Sequence, residues 1–395
     1  MSENRVIGSE HIEDARQRGR LVFEILPGDI VTSLAKETAS RVGIELIDGP
    51  IEKPLIARTD GKTSMGRSLY RRSPKWIAPE KKISTRALRF SKISIVGAGG
   101  VGANISHLAA NMDLSDEIAI IDIVPGLAAA TALDLNHASG ITRSSTRILG
   151  GETLDLINGS EVVIVTAGRA RTPGMTRNDL ININKRVIQS TAETIKQQSP
   201  EAIVIVVTNP LDEMTMEMLT ATGFPRERVL GMAGTLDSSR FRRSLAMAAG
   251  VKTADVEAIT LGSHGDEMAP IISHAKIKGR SLERFLSSEE IAACSKDAIT
   301  GGGQVVALKK MGSATIAPAH ASIEILNHIR GAKSGSVPVS VMLDGEFGLN
   351  NVVLGVPAFL GFKGLVSVEE IKLSPIEMKA LHDSADAIRN RLGLK

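Results

Sequence analysis

The stretch IVGAGGVG, residues 95–102, places Gly97, Gly99 and Gly102 in G-x-G-x-x-G spacing. It follows the apolar run KISIV and opens an amphipathic segment, the order strand, turn, helix. Glycines at these points permit a tight turn and close backbone approach, and a helix N-terminus favours the charge of a pyrophosphate. The motif alone is weak. Here a second apolar run, IAIID, follows and ends in Asp122, twenty residues beyond Gly102. A carboxylate there can accept both ribose hydroxyls of NAD and repels the 2′-phosphate of NADP. Turn, helix and acid together point to NAD, held by Gly97, Gly99, Gly102 and Asp122, with Asn184, Thr208 and Asn209 as further candidate cofactor contacts.

Outward from this turn, KISIVG, EIAIIDI, RILGG, EVVIVTAG and AIVIVVTNP are short and rich in Ile and Val, as strands buried on both faces must be. The intervening segments are long enough for crossover helices, which predicts an α/β fold with a Rossmann-type, doubly wound parallel sheet. From about Leu236 helical patterns mix with strands such as VEAITLG and SVPVSVML, fitting an α+β catalytic domain. The expected organisation is a small N-terminal βαβ-like extension over 1–50, a basic linker over 51–91, an NAD-binding domain over 92–236 and a substrate domain over 237–395. Within the extension we expect helix over about 9–19, strand over 20–25, a Pro-Gly turn, helix over about 30–42 and strand over 44–47.

Composition narrows the function. Apolar content of 43% and charged content of 23% are those of a globular chain. No apolar run reaches the roughly 18 residues a bilayer needs, and the N-terminus lacks a signal-peptide core, so a cytoplasmic protein with no membrane partner is expected. One cysteine, Cys294, excludes an internal disulfide and is expected to be a small buried apolar residue. No metal site is expected. Net charge is +3, but residues 53–92 hold twelve basic against two acidic residues, with the only Tyr (Tyr70) and the only Trp (Trp76). Basic residues interleaved with aromatics could stack on and neutralise nucleic acid, but a solvated linker, or an arm packed on an acidic surface of the same protein, is the expected reading. A basic stretch by itself does not make a nucleic-acid binder, and no nucleic-acid partner is expected.

The segment TAGRARTPGMTRNDL, residues 166–180, leaves the carboxyl edge of the fourth strand, where α/β proteins bind ligands. Its Pro173–Gly174 pair suits a loop that closes. Thr208-Asn209-Pro210 ends the next strand at the same edge, beside the expected nicotinamide. GTLDSSRFR sets Asp237 and Arg240 three apart, hence on one helix face, and LGSHGDEMAP sets His264 among glycines after a strand. Moving a hydride between NAD and C2 of a 2-hydroxy acid requires a base for the hydroxyl proton. A histidine suits that role, and a carboxylate such as Asp237 would fix its tautomer. Arg240 would clamp the substrate carboxylate bidentately, and Arg177 would polarise the carbonyl. Arg171 is left free for a second carboxylate.

From Lys92 to the C-terminus the chain resembles the L-lactate/L-malate dehydrogenase family, in particular its lactate-dehydrogenase-like malate dehydrogenase branch. IVGAGGVG, ALDLNHA, TAGRARTPGMTRNDL, VTNPLD, GTLDSSRFR and LGSHGDEM match family motifs in order. The resemblance implies His264 as proton donor and acceptor, Asp237 as its partner, Arg240 as substrate anchor and Arg177 as polariser. It also implies that Asn209 touches substrate and cofactor, that Asn209–Pro210 is cis, and that the ALDLNHA helix helps build a homodimer or homotetramer. Arg171 falls at the specificity position, where lactate enzymes commonly carry Gln and malate enzymes Arg, so a dicarboxylate substrate is implied. Two features depart from the family. In MGSATIAPAHA, residues 311–321, Thr315 and Ile316 stand where aromatics are common. The N-terminal 90 residues are additional, and ILPGDIVTSLAKETASRVGIELI (25–47) is similar to short N-terminal segments of some proteins encoded with bacterial microcompartments. That implies recruitment to a shell or partner enzyme.

Overall fold

A computed structural model describes residues 5–17, 22–48, 87–169, 177–310 and 312–394, the side chains of Arg177 and Asn178 excepted. The chain divides into two units, residues 1–83 and 84–395.

In the first unit, β1 (Val6–Ile7), α1 (Ser9–Gln17), β2 (Val22–Ile25), β3 (Ile30–Val31), α2 (Ser33–Val42) and β4 (Glu45–Asp48) follow one another. β1 pairs with β3 and β2 with β4, both parallel. Ile7, Ile12, Ala15, Ala35, Ala39 and Ile44 form its small core. The expected helix over 30–42 starts later. Ile30 and Val31 are taken by strand pairing, and Thr32 caps α2 by accepting from the Ala35 amide at 3.2 Å. Gly43 ends α2 with φ +71°, a left-handed cap that suits glycine. Tyr70, Trp76 and most of the basic tract lie outside the described residues.

The second unit is built on β5 (Phe90–Val96), α3 (Gly100–Asn111), β6 (Ser115–Ile121), α4 (Leu127–Thr142), β7 (Arg147–Gly151), β8 (Val162–Val165), α5 (Arg177–Gln198), β9 (Ile203–Val206), α6 (Leu211–Thr222) and β10 (Val229–Gly231). These strands run in the order β7-β6-β5-β8-β9-β10, all parallel. That is the doubly wound arrangement, whose order reverses between β5 and β8. Ile93 and Ile95 face one hydrophobic core, Val96, Val163 and Val165 the other, which is why these strands read as continuous apolar runs. β5 begins at Phe90, two residues before the expected boundary, because Phe90 is buried and stacks on Phe362 at 5.5 Å.

The second half adds α7 (Gly234–Ala248), β11 (Val256–Leu261), β12 (Ala269–Ile277), β13 (Arg280–Ser281), α8 (Ser288–Lys309), α9 (Ile316–Ile329), β14 (Val337–Asp344), β15 (Asn350–Gly361), β16 (Gly364–Val368) and α10 (Pro375–Leu392). β11–β13 form an antiparallel sheet beside α7 and α8, with Cys294 buried in their shared core. β14–β16 extend the main sheet instead: β14 joins β10 antiparallel at Gly231↔Ser340, giving nine strands. This sheet, with α10, ties the two halves together.

Glu377 anchors α10. Its carboxylate accepts from Ser374 N and Oγ (2.9 and 2.7 Å) and from Ser273 N and Oγ of β12 (2.9 and 2.7 Å). Burial works against the charge, but these donors outweigh it and hold the carboxyl at about 2. A depressed carboxyl stabilises the fold fully above its ordinary value of 4.5, and that contribution is lost as pH falls toward about 2. Glu377→Ala should cost about 1–2 kcal/mol at neutral pH, read as a lower urea midpoint with unchanged m. An unchanged midpoint would remove this role.

Candidate active site

The carboxyl edge of β5 carries the glycine turn. Gly97 has φ +108°, and a Cβ there would lie 2.5 Å from Thr166 Oγ1. One on Gly102 would fall 1.8 Å from the Gly97 carbonyl oxygen. These two glycines fold the turn onto β8 and onto itself. Gly99 differs: a Cβ would meet nothing within 4 Å, and as N-cap of α3 it offers no side-chain cap. The first amides of α3 therefore face open space at the positive end of a helix, a cradle that fits a pyrophosphate. Asp122, directly after β6, accepts the Ala98 amide at 2.6 Å and the Val124 amide at 2.9 Å. Its carboxylate is thereby fixed beside the turn with acceptor capacity left for ribose hydroxyls.

β8 and β9 end at the same edge. Thr208 Oγ1 donates to the Ala167 carbonyl at 2.7 Å. Asn184, on α5 and buried, accepts the Arg169 amide at 2.8 Å and donates to the Asn209 carbonyl at 2.6 Å. These hydrogen bonds tie the ends of β8 and β9 to α5 at the edge where Thr208 and Asn184 stand. The Asn209–Pro210 bond is cis. Arg171 lies outside the described residues; Arg177 opens α5.

β11 delivers His264. Its Nδ1 lies 2.8 Å from Asp237 Oδ2, while Arg240 donates to Asp237 Oδ1 at 3.0 Å, one helical turn along α7. One buried carboxylate thus holds both the imidazole and the guanidinium. An ionised carboxylate only accepts, so Nδ1 carries the hydrogen and Nε2 is left to exchange a proton. Burial pulls the imidazole pKa down, but the charge and hydrogen bond of Asp237, with the charge of Asp212, raise it above its ordinary value of 6.5.

Asp212, the last residue of VTNPLD, is a site residue that no local sequence signal marks. Asp212 sits in the first turn of α6, is buried, and accepts the His264 backbone amide at 2.7 Å and Ser340 Oγ at 2.7 Å. The neighbouring Ser263 amide donates to Ser384 Oγ at 2.6 Å. Arg391 of α10 joins Glu213 (2.6 Å) to Glu267 (3.1 Å) at the end of the histidine loop. The loop is therefore pinned by α6, β14 and α10. Burial first, and the adjacent Glu213 charge second, push Asp212 up to about 6. Above that pH its charge supports the imidazolium. Asp212→Asn should lower the His264 pKa, so that the fall in 2-oxo-acid reduction with rising pH begins at lower pH. An unshifted profile would leave Asp212 a purely structural residue.

Near the turn, Thr315 packs against Gly100, where a Cβ would lie 2.6 Å from Thr315 Cγ2. Two surface cavities, lined around Asn350, Arg389 and Asn390 and around Glu161, Arg228 and Phe362, contain none of these site residues. Among the described residues no cluster could hold a metal ion, and no helix is long and apolar enough to cross a membrane.

A glycine turn built for a dinucleotide, with an Asp-held histidine and an arginine on one carboxylate, defines a nicotinamide-dependent dehydrogenase. The family description "lactate/malate dehydrogenase, NAD binding domain" matches residues 91–231, and its "alpha/beta C-terminal domain" matches residues 234–394. The chain belongs to the lactate/malate dehydrogenase family and is an NAD-dependent oxidoreductase. It is 41% identical over 304 residues to the malate dehydrogenase of Trichormus variabilis, covering 77% of this chain and 94% of that protein. Among solved structures, malate dehydrogenase from Cryptosporidium parvum matches with TM-score 0.74 and 38% identity, covering 78% of this chain and 98% of that one. Lactate dehydrogenase from the same organism, complexed with lactic acid and nicotinamide adenine dinucleotide, matches with TM-score 0.74 and 33% identity over 77% and 97%.

Proposed function

We propose that this chain interconverts L-malate and oxaloacetate with NAD. The observation that carries the reading is Asp237, whose two oxygens hold His264 and Arg240 at 2.8 and 3.0 Å. NAD, which the glycine turn and Asp122 would hold, would supply the hydride-transfer chemistry at C2 of the substrate. In reduction, Arg240 clamps the C1 carboxylate, the carbonyl oxygen gains charge beside Arg177, and His264 Nε2 delivers the proton; oxidation reverses each step. Asp237 stabilises the imidazolium through its hydrogen bond to Nδ1. Asn209 orients the substrate carbonyl, and Arg171 pairs with the distal carboxylate. Residues 92–236 serve the cofactor and 237–395 the substrate.

A panel of 2-oxo acids tested with NADH decides the substrate, with oxaloacetate expected to outrun pyruvate. The reverse order would favour a lactate-type enzyme, a reading motivated by Thr315 and Ile316 in place of aromatics. The exposed Leu127, Leu133 and Ile141 of α4 support a homodimer or homotetramer built partly on that helix. Residues 1–90 are read as an address that recruits a cytoplasmic enzyme to a microcompartment or partner enzyme. Deleting them should leave turnover intact and abolish co-localisation; lost assembly would make them a structural arm.

A further inference from the structure

α8 contains three consecutive glycines, Gly301, Gly302 and Gly303. None has a positive φ, so no backbone conformation requires them. Glycine in a helix interior costs stability relative to alanine. Their surroundings differ. A Cβ on Gly301 would lie 3.3 Å from Arg240 Cδ and 3.7 Å from Nε. One on Gly302 would lie 3.4 and 3.5 Å from the two terminal guanidinium nitrogens. One on Gly303 would meet nothing within 4 Å.

We propose that Gly301 and Gly302 are positioning residues: they form the bare helical floor on which the Arg240 guanidinium lies, and so set its register toward the substrate carboxylate. The inference rests on the reading of Arg240 as substrate anchor. Arg240 is held from one side by Asp237 Oδ1. That single hydrogen bond leaves the plane of the fork free to tilt. The two glycines keep the strip of helix beside Cδ, Nε and both terminal nitrogens clear of side-chain atoms, which lets the arginine run close along it. A methyl group on Gly301, 3.3 Å from Cδ, pushes the arginine side chain by a few tenths of an ångström, whereas one on Gly302 meets the terminal nitrogens at ordinary van der Waals distance. A bidentate carboxylate clamp tolerates such a displacement poorly. The helix itself, relieved of two glycines, gains stability. A glycine retained only for packing gives the opposite pairing of effects.

The test uses the full chain with four variants: Gly303→Ala, Gly302→Ala, Gly301→Ala/Gly302→Ala and Arg240→Lys. Readouts are Tm, the NADH dissociation constant, and kcat and KM for oxaloacetate. Gly303→Ala should raise Tm and leave KM unchanged. The double variant should hold or raise Tm, leave NADH binding unchanged, and raise KM for oxaloacetate roughly tenfold, with Gly302→Ala in between. Unchanged KM in a folded double variant overturns the proposal. A double variant that unfolds also overturns it, unless Gly302→Ala alone shows raised KM at undiminished Tm. Unchanged KM in Arg240→Lys sinks the underlying anchor reading instead, so the two failures are distinguishable.

Discussion

His264→Ala should lower kcat for oxaloacetate reduction roughly a thousandfold or more while leaving NADH affinity within about twofold. Without an imidazole at that point, hydride arrival at C2 leaves an alkoxide with no proton donor in reach. The groups proposed to cradle the dinucleotide, the glycine turn and Asp122, follow β5 and β6, whereas His264 follows β11. Chemistry and cofactor binding are thus separable by mutation. Rapid-mixing turnover with a parallel NADH fluorescence titration checks both halves, and joint loss of NADH binding would mean that His264 has another role. The pH dependence has a definite sign. Reduction needs the imidazolium, so it is sustained below the folded-state pKa and lost as pH rises through it, and that pKa is raised above 6.5. Oxidation needs the neutral ring and gains over the same interval. Asp237→Asn removes the principal support of the charged ring and moves both limbs to lower pH.

The parallel strands and the cofactor turn were legible because burial on both faces leaves uninterrupted Ile and Val runs, and because the glycines recur at a spacing fixed by steric contact. Asp237 and Arg240 were legible as a pair because three residues on a helix share a face. Longer-range features left no local mark. β14 reaches the main sheet through one residue pair with β10, and nothing in SVPVSVML says which edge it will join. Asp212 and Glu213 look like ordinary acids of a helix first turn; their partners come from far along the chain, Ser340 for Asp212 and Arg391, 178 positions on, for Glu213. Ile30 and Val31 were read as helix because their pairing with Val6 and Ile7 lies beyond any helical window. The nearness of Gly301 and Gly302 of α8 to Arg240 leaves no local mark either, since it joins segments some sixty positions apart.

Arg171→Gln should reverse much of the substrate preference, and its effect is the largest expected on specificity. On the proposed reading the Arg171 guanidinium meets the distal carboxylate of oxaloacetate in a site closed to water. Pyruvate offers a methyl group there, which leaves a desolvated cation unpaired, and such a loss is costly because it includes the full desolvation of the charge. Glutamine is polar, shorter and without charge. It removes the penalty against pyruvate and, with it, the ion pair that favours oxaloacetate, so the two changes add in the ratio. The kcat/KM ratio of oxaloacetate to pyruvate should fall by roughly a thousandfold. NADH affinity should not change, since on the same reading the substituted group serves the substrate alone. Measured on both 2-oxo acids in one preparation, a ratio that stays put would exclude Arg171 from selection and return the choice to Thr315, Ile316 and their neighbours. A fall in both activities at constant ratio would place Arg171 in loop closure, where it would serve every substrate alike.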